Sequence, residues 1–145
     1  MIELTKWDER WLLMARFVAE NFSKDPKTKV GCVIANHKQF ISFGYNGFPR
    51  GVEDSPERYA NRDLKYRFVV HSEANAIRHA ILPTDGASMY VTLKPCSTCA
   101  KEIIQAGIKR VFFYHTERDP VELRWDDTDV MFSEAGIQMI PVQPQ

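Results

Sequence analysis

His71, Ser72 and Glu73 stand ahead of Pro95-Cys96-Ser97-Thr98-Cys99, with positions 74 to 94 between the two groups. One imidazole and two thiols are a ligand set for borderline-soft divalent metals, zinc above all. Cys96 and Cys99 are three apart, so on the first turn of a helix they project from one face and can grip one ion together. His71 would lie just ahead of a second helix begun by Ser72-Glu73-Ala74, and with a strand between them the two helices can lie side by side, N-termini together. Three protein ligands leave one tetrahedral position for water, the arrangement of a catalytic rather than a structural zinc. Two thiolates and a neutral imidazole cancel the charge of Zn2+ and weaken it as a Lewis acid. Two helix N-termini, each carrying about +0.5 of an elementary charge, restore part of that field. Glu73, beside the ligand and not itself a ligand, would be the base that takes the water's proton.

Each residue alone has a plainer reading. A lone Cys-x-x-Cys is also the spacing of a redox dithiol, and a lone histidine is more often an ordinary hydrogen-bonded one. Among the other candidates, Cys32 sits in the apolar run Val30-Gly31-Cys32-Val33-Ile34 and reads as a buried thiol of the core. His37 belongs to a turn and His79 to a helix surface. His115 ends a strand, where α/β sheets border binding crevices.

The elements that must position these groups follow from periodicity and punctuation. Trp7, Trp11, Met14, Ala15, Val18 and Phe22 recur at helical spacing, and Ser23-Lys24-Asp25-Pro26 ends that helix. Val30 to Ala35 and Gln39 to Tyr45 read as a hairpin turning at Asn36-His37-Lys38. Residues 46 to 63, with Gly47, Pro49, Gly51 and Pro56, read as a long surface loop. Helices are expected over Ser72 to Leu82, Thr98 to Ala106 and Trp125 to Ala135, and strands over Ser88 to Leu93, Lys109 to His115 and Ile137 to Val142. Late strands alternating with helices imply right-handed crossovers and parallel neighbours. The expectation is an α/β fold, a mixed five-stranded sheet with parallel late strands between helix layers.

A chain of 145 residues with 44% apolar side chains can bury one core, so a single domain over 1–145 is expected. Nineteen basic and nineteen acidic residues cancel, so no overall positive field holds a polyanion, and a small substrate is favoured over nucleic acid. No apolar stretch approaches the roughly 20 residues of a membrane span, and the N-terminus lacks the pattern of a leader. With three cysteines, two of them in one motif, a reducing, cytoplasmic location is expected.

The histidine-glutamate and proline-cysteine motifs together form the pattern of zinc nucleobase deaminases. Most of the chain resembles the deoxycytidylate deaminase family of cytidine deaminase-like enzymes. The resemblance is carried by Ser23-Lys24-Asp25-Pro26 leading to Val30-Gly31, by Gly44-Tyr45-Asn46-Gly47 with Pro49 and Gly51, by His71 through Ile77, by Met89 through Leu93 running into Pro95-Cys96, and by Gln105 through Lys109. It implies a three-layer α/β/α sandwich that hydrolyses dCMP to dUMP and ammonia, feeding thymidylate synthesis. In that chemistry a hydroxide generated at the zinc attacks carbon 4 of the cytosine, and Glu73 shuttles the proton to ring nitrogen 3 and then to the leaving amine.

The same resemblance implies one zinc per chain on His71, Cys96 and Cys99, with Asn46 at the deoxyribose and base through an amide that both donates and accepts. Asn46 before Gly47 also suits a plain turn. Ser72, where the family usually has alanine, would keep its backbone contact to the pyrimidine. Ser23 with Lys24 is the favoured phosphate grip, solvated lysines being the ordinary alternative. Where the family commonly carries a stacking tyrosine this chain has Glu117-Arg118-Asp119-Pro120, so Arg118 would stack or bind phosphate. That departure keeps dCTP or a modified cytosine nucleotide open as the substrate. RNA adenosine deamination and a non-catalytic nucleotide-binding regulator are more distant alternatives. The family further implies a homo-oligomer, with a hexamer favoured, and regulation by dCTP and dTTP with Mg2+ near Tyr45, Gly47 and Arg50. A loop of this kind with Phe48, Arg50 and Glu53 would equally serve as a subunit contact.

Overall fold

Thr5 opens the first helix as its side chain accepts the Asp8 N–H while the Asp8 carboxylate accepts the Thr5 N–H, a reciprocal cap of two otherwise unpaired donors. This helix, α1 (Lys6–Phe22), buries Trp11, Leu12, Ala15, Val18 and Ala19 and turns Leu13 and Phe17 outward. The computed structural model describes residues 3–117 and 121–144. A hairpin of β1 (Gly31–Asn36) and β2 (Gln39–Tyr45) follows, turning through His37 at a positive φ of 55°. Two short helices, α2 (Pro56–Ala60) and α3 (Arg62–Phe68), precede α4 (Ser72–Arg78). The chain then alternates through β3 (Ser88–Val91), α5 (Ser97–Gln105), β4 (Arg110–Tyr114), a 3-10 turn at Val121–Leu123, α6 (Trp125–Ala135) and β5 (Gln138–Val142).

The five strands lie in the order β2-β1-β3-β4-β5, with β1 antiparallel to both neighbours and β3, β4 and β5 parallel. The expected mixed sheet with parallel late strands is thus the observed one. Alternate residues of β1 feed two cores, because successive strand side chains point to opposite faces. Val33 and Ala35 join Tyr90, Phe112 and Ile140 under α1, whereas Cys32 and Ile34 join Met89, Val111 and Phe113 under α4, α5 and α6 through Ala76, Ile103 and Phe132. Each fully buried aliphatic or aromatic side chain contributes about 1.5–3 kcal/mol by leaving water. The Tyr90 hydroxyl donates to Asp8 Oδ1 at 2.6 Å, so the α1 cap is also anchored to β3.

Two expectations need correction. Residues 46 to 63 are not merely a loop: Ser55 caps α2, Pro56 occupies its first turn, and Asn61 caps α3 by accepting the Leu64 N–H. Phe48 stacks on Tyr59 with centroids 4.1 Å apart, and Gly47 and Val70 exchange two backbone hydrogen bonds, so the segment is closed at both ends. Helix α4 also stops at Arg78, four residues short of Leu82, with His79 capping it and the Ile81 N–H turning to the Ile41 carbonyl. No helix among the described residues is long and apolar enough to cross a membrane.

Candidate active site

Helix entrances are normally occupied by Ser, Thr, Asp or Asn, whose side chains accept a backbone N–H. Here the N-cap of α4 is His71 and that of α5 is Cys96, both with extended backbone and neither making a side-chain cap bond. Each side chain is therefore left to face something else. They face each other: His71 Nδ1 lies 3.4 Å from Cys96 Sγ and 3.2 Å from Cys99 Sγ. The three donor atoms all fall within 4.8 Å of one another. Zn–S bonds of about 2.3 Å and a Zn–N bond of about 2.0–2.1 Å at tetrahedral angles place N and S about 3.5 Å apart. The donor set therefore fits zinc in both chemistry and spacing, with His71 offering Nδ1. Both cysteines are buried. A hydrogen bond from Cys99 holds the Cys96 thiol far below its usual range, and the same bond together with burial holds Cys99 above it. A dication held by the two sulfurs would take the place of that shared proton.

Glu73 occupies the second position of α4 and is 4% exposed. Burial raises its carboxyl above the ordinary carboxylate range, while the His71 charge and the Ser72 hydrogen bond pull it down. The Ser72 hydroxyl donates to Glu73 Oε1 at 2.7 Å, fixing one oxygen of the carboxylate. His71, Ser72, Glu73 and Cys96 border a cavity of about 80 Å3 together with Asn46. That is several times the room a single water requires.

Residues 5–115 match the family model for the cytidine and deoxycytidylate deaminase zinc-binding region. The chain belongs to the cytidine and deoxycytidylate deaminase family. It is 39% identical to a deaminase in the luxG 3′ region of Aliivibrio fischeri over 140 residues, 94% of this chain and 93% of that one. It is 38% identical to the deoxycytidylate deaminase of Homo sapiens over 143 residues, 91% of this chain and 77% of that one. Its fold superimposes with a TM-score of 0.75 on dCMP deaminase from the cyanophage S-TIM5, at 23% identity and covering 97% of this chain and all of the other.

In this deaminase-family chain the position of α4, and with it His71 and Glu73, depends on Gly44. A Cβ at Gly44 would come within 2.4 Å of both the Ser72 carbonyl oxygen and the Ala76 N, which are backbone atoms of α4 and cannot rotate aside. The close approach is reinforced by Ser42 Oγ donating to the Ala76 carbonyl and Asn75 Nδ2 donating to the Tyr45 carbonyl. Gly44→Ala is therefore expected to push α4 from the sheet, lowering stability by about 1–3 kcal/mol and weakening zinc retention. Thermal melting and a chelator competition titration check both effects.

Asn46 is more tightly used than its sequence context implies. Its Oδ1 accepts the Val30 N–H at 3.0 Å and the Ser23 hydroxyl at 2.6 Å, and its Nδ2 donates to the Thr28 carbonyl at 2.7 Å. An amide carries two lone-pair sites and two N–H donors. The acceptor side is saturated, so Asn46 has one N–H left for a ligand and does not both donate and accept as expected. Ser23 is buried and spends its hydroxyl on Asn46. Lys24 is exposed, pairs with Asp54 at 2.9 Å and borders a different cavity, so the two residues do not form the expected joint grip. That second cavity, about 660 Å3, is also bordered by Tyr45, Gly47 and Arg50. Arg118 lies outside the described residues.

The cavity beside Glu73 is also bordered by groups the sequence did not single out: Lys65 and Tyr66 of α3, Lys94, and Leu123 of the 3-10 turn. Arg62 and Glu122 form an ion pair between α3 and that turn. For Lys94 a signal existed, since it directly precedes Pro95-Cys96. For Lys65 there was none, because its burial is created by the fold.

Proposed function

We propose that this protein hydrolyses dCMP to dUMP and ammonia, in a single cytoplasmic domain holding one zinc on His71, Cys96 and Cys99. The observation that carries the reading is the buried Glu73 carboxylate beside that donor set, in the same cavity as the clamped Asn46 amide. The naming of the human relative as a deoxycytidylate deaminase supports the choice of substrate. Bound zinc would supply a Lewis acid that lowers the pKa of water at the site.

The protein groups do the rest. Glu73 takes a proton from the attacking water and delivers it to ring nitrogen 3 of the cytosine. It then takes a second proton from the hydroxyl now on carbon 4 and passes it to the departing amine as the carbonyl forms, one carboxylate serving as base and then acid twice over. Its burial suits that double role, because a carboxyl held above its ordinary range by desolvation is a stronger base toward water than a free carboxylate and still returns the proton to the substrate. Ser72 holds one carboxylate oxygen so that the other is presented to the proton. Asn46 supplies one N–H donor to the nucleoside, an orientation fixed by Val30 and Thr28. The N-termini of α4 and α5 point at the donor set and favour negative charge there.

Ammonia release from dCMP, dCTP, deoxycytidine and an adenosine-bearing tRNA tests the reading, each with and without added dCTP or dTTP. dCMP is expected to give the highest kcat/KM. A higher value for dCTP or for the tRNA would replace dCMP as the substrate. The cavity bordered by Tyr45, Gly47, Arg50 and Lys24 supports reading those residues as the effector site of a homo-oligomer. A change in the dCMP saturation curve on adding dCTP or dTTP is the expected sign.

A further inference from the structure

A nucleoside monophosphate has to meet cations somewhere, and the favoured pair, Ser23 with Lys24, is not available for it in this cavity. Lys24 borders the second cavity and Ser23 is committed to Asn46. Among the described residues bordering the cavity of Glu73 there are two ammonium groups, Lys65 and Lys94.

Lys65 Nζ lies 3.0 Å from Asp25 Oδ2, with the two side chains 12% and 2% exposed. The other oxygen of Asp25 accepts the backbone N–H groups of Lys27 and Thr28, which pins the carboxylate in place. An ammonium has three N–H donors and Lys65 gives Asp25 one contact, so donors remain at the cavity. Lys94 Nζ pairs with Asp129 at 2.8 Å and lies over the rings of Trp125 and Phe113, at 5.5 and 6.0 Å from their centroids. Its backbone is held as firmly, since the Trp125 indole N–H donates to the Lys94 carbonyl and the Thr128 hydroxyl to that of Pro95. Asp129 is half exposed, so water can take over from Lys94 there when another anion arrives.

Two lysines from separate elements, each anchored and each mostly buried, thus border the cavity that contains the proposed base. We propose that Lys65 and Lys94 form the grip for the substrate's 5′-phosphate, an inference that rests on the dCMP reading. Each makes charge-assisted hydrogen bonds to the phosphate oxygens. Because each lysine already faces a carboxylate, the grip carries no surplus positive charge. It therefore suits a monophosphate better than the larger charge of a triphosphate, which would crowd Asp25 and Asp129.

The test is the preference of the enzyme for the phosphorylated substrate, measured as kcat/KM for dCMP divided by kcat/KM for deoxycytidine. Lys94→Met removes one arm. Lys65→Met alone would strand the buried Asp25 charge, so Asp25→Asn with Lys65→Met removes the pair together and leaves an amide oxygen for the Lys27 and Thr28 N–H groups. Each variant is expected to lower the preference by about tenfold or more, and Lys65→Arg is expected to retain more of it than the double variant. A preference within about twofold of wild type in both Lys94→Met and the double variant overturns the grip while leaving the dCMP reading intact. A wild-type enzyme that converts deoxycytidine but not dCMP overturns both.

Discussion

Glu73→Gln is expected to lower kcat for dCMP by about 10²–10⁴-fold while the protein retains one zinc per chain. Glutamine has nearly the shape of glutamate and still offers an oxygen to the Ser72 hydroxyl, so the packing of a 4% exposed side chain is kept. What it cannot do is take a proton from water and return it to the substrate. His71, Cys96 and Cys99 are untouched, which separates loss of the proton shuttle from loss of the metal. Steady-state kinetics on the same preparation used for metal analysis give both numbers. Unchanged turnover would turn the site into a nucleotide-binding scaffold with an idle glutamate.

Asn46→Asp is expected to be at least as damaging as Asn46→Ala, with both losing about 3 kcal/mol of stability and most of their activity. Aspartate would keep acceptors for the Val30 N–H and the Ser23 hydroxyl, yet would set a carboxylate oxygen against the Thr28 carbonyl oxygen that Nδ2 now contacts at 2.7 Å. A buried unpaired charge is costlier than a buried unpaired amide. It would also remove the single N–H that Asn46 has left for a ligand. Chemical denaturation with kinetics on whatever folds checks the pair of variants. Near wild-type activity in Asn46→Asp would mean that the residue acts on its ligand as an acceptor.

The zinc donor set was legible in the sequence because its chemistry is local. Two cysteines three apart share the first turn of one helix, and a histidine before a second helix start completes a recognisable spacing, although it is the sheet that brings the two helix entrances together. The sheet was legible for a similar reason: apolar runs such as Val30 to Ala35 and helices punctuated by Gly107 and Gly136 declare themselves one at a time. Helices α2 and α3 did not, as five and seven residues are too few turns for a periodic pattern. Only the caps, Ser55 before Pro56 and Asn61 before Arg62, announced them. Lys65 reads in the sequence as one more solvated charge among Arg62, Asp63 and Arg67. It becomes part of the cavity because Asp25, forty positions earlier, is buried beneath it. Lys24 shows the converse error: adjacency to Ser23 in the chain implied a shared task, whereas one side chain turns into the protein and the other out to Asp54.

The most direct test is turnover of dCMP in water enriched in heavy oxygen, by protein whose zinc content has been measured. The expected outcome is dUMP carrying one heavy oxygen at carbon 4 and one ammonia per dUMP, from protein holding one zinc per chain. Zinc-loaded protein that leaves dCMP unchanged, or yields unlabelled dUMP, would contradict hydrolytic deamination at this site.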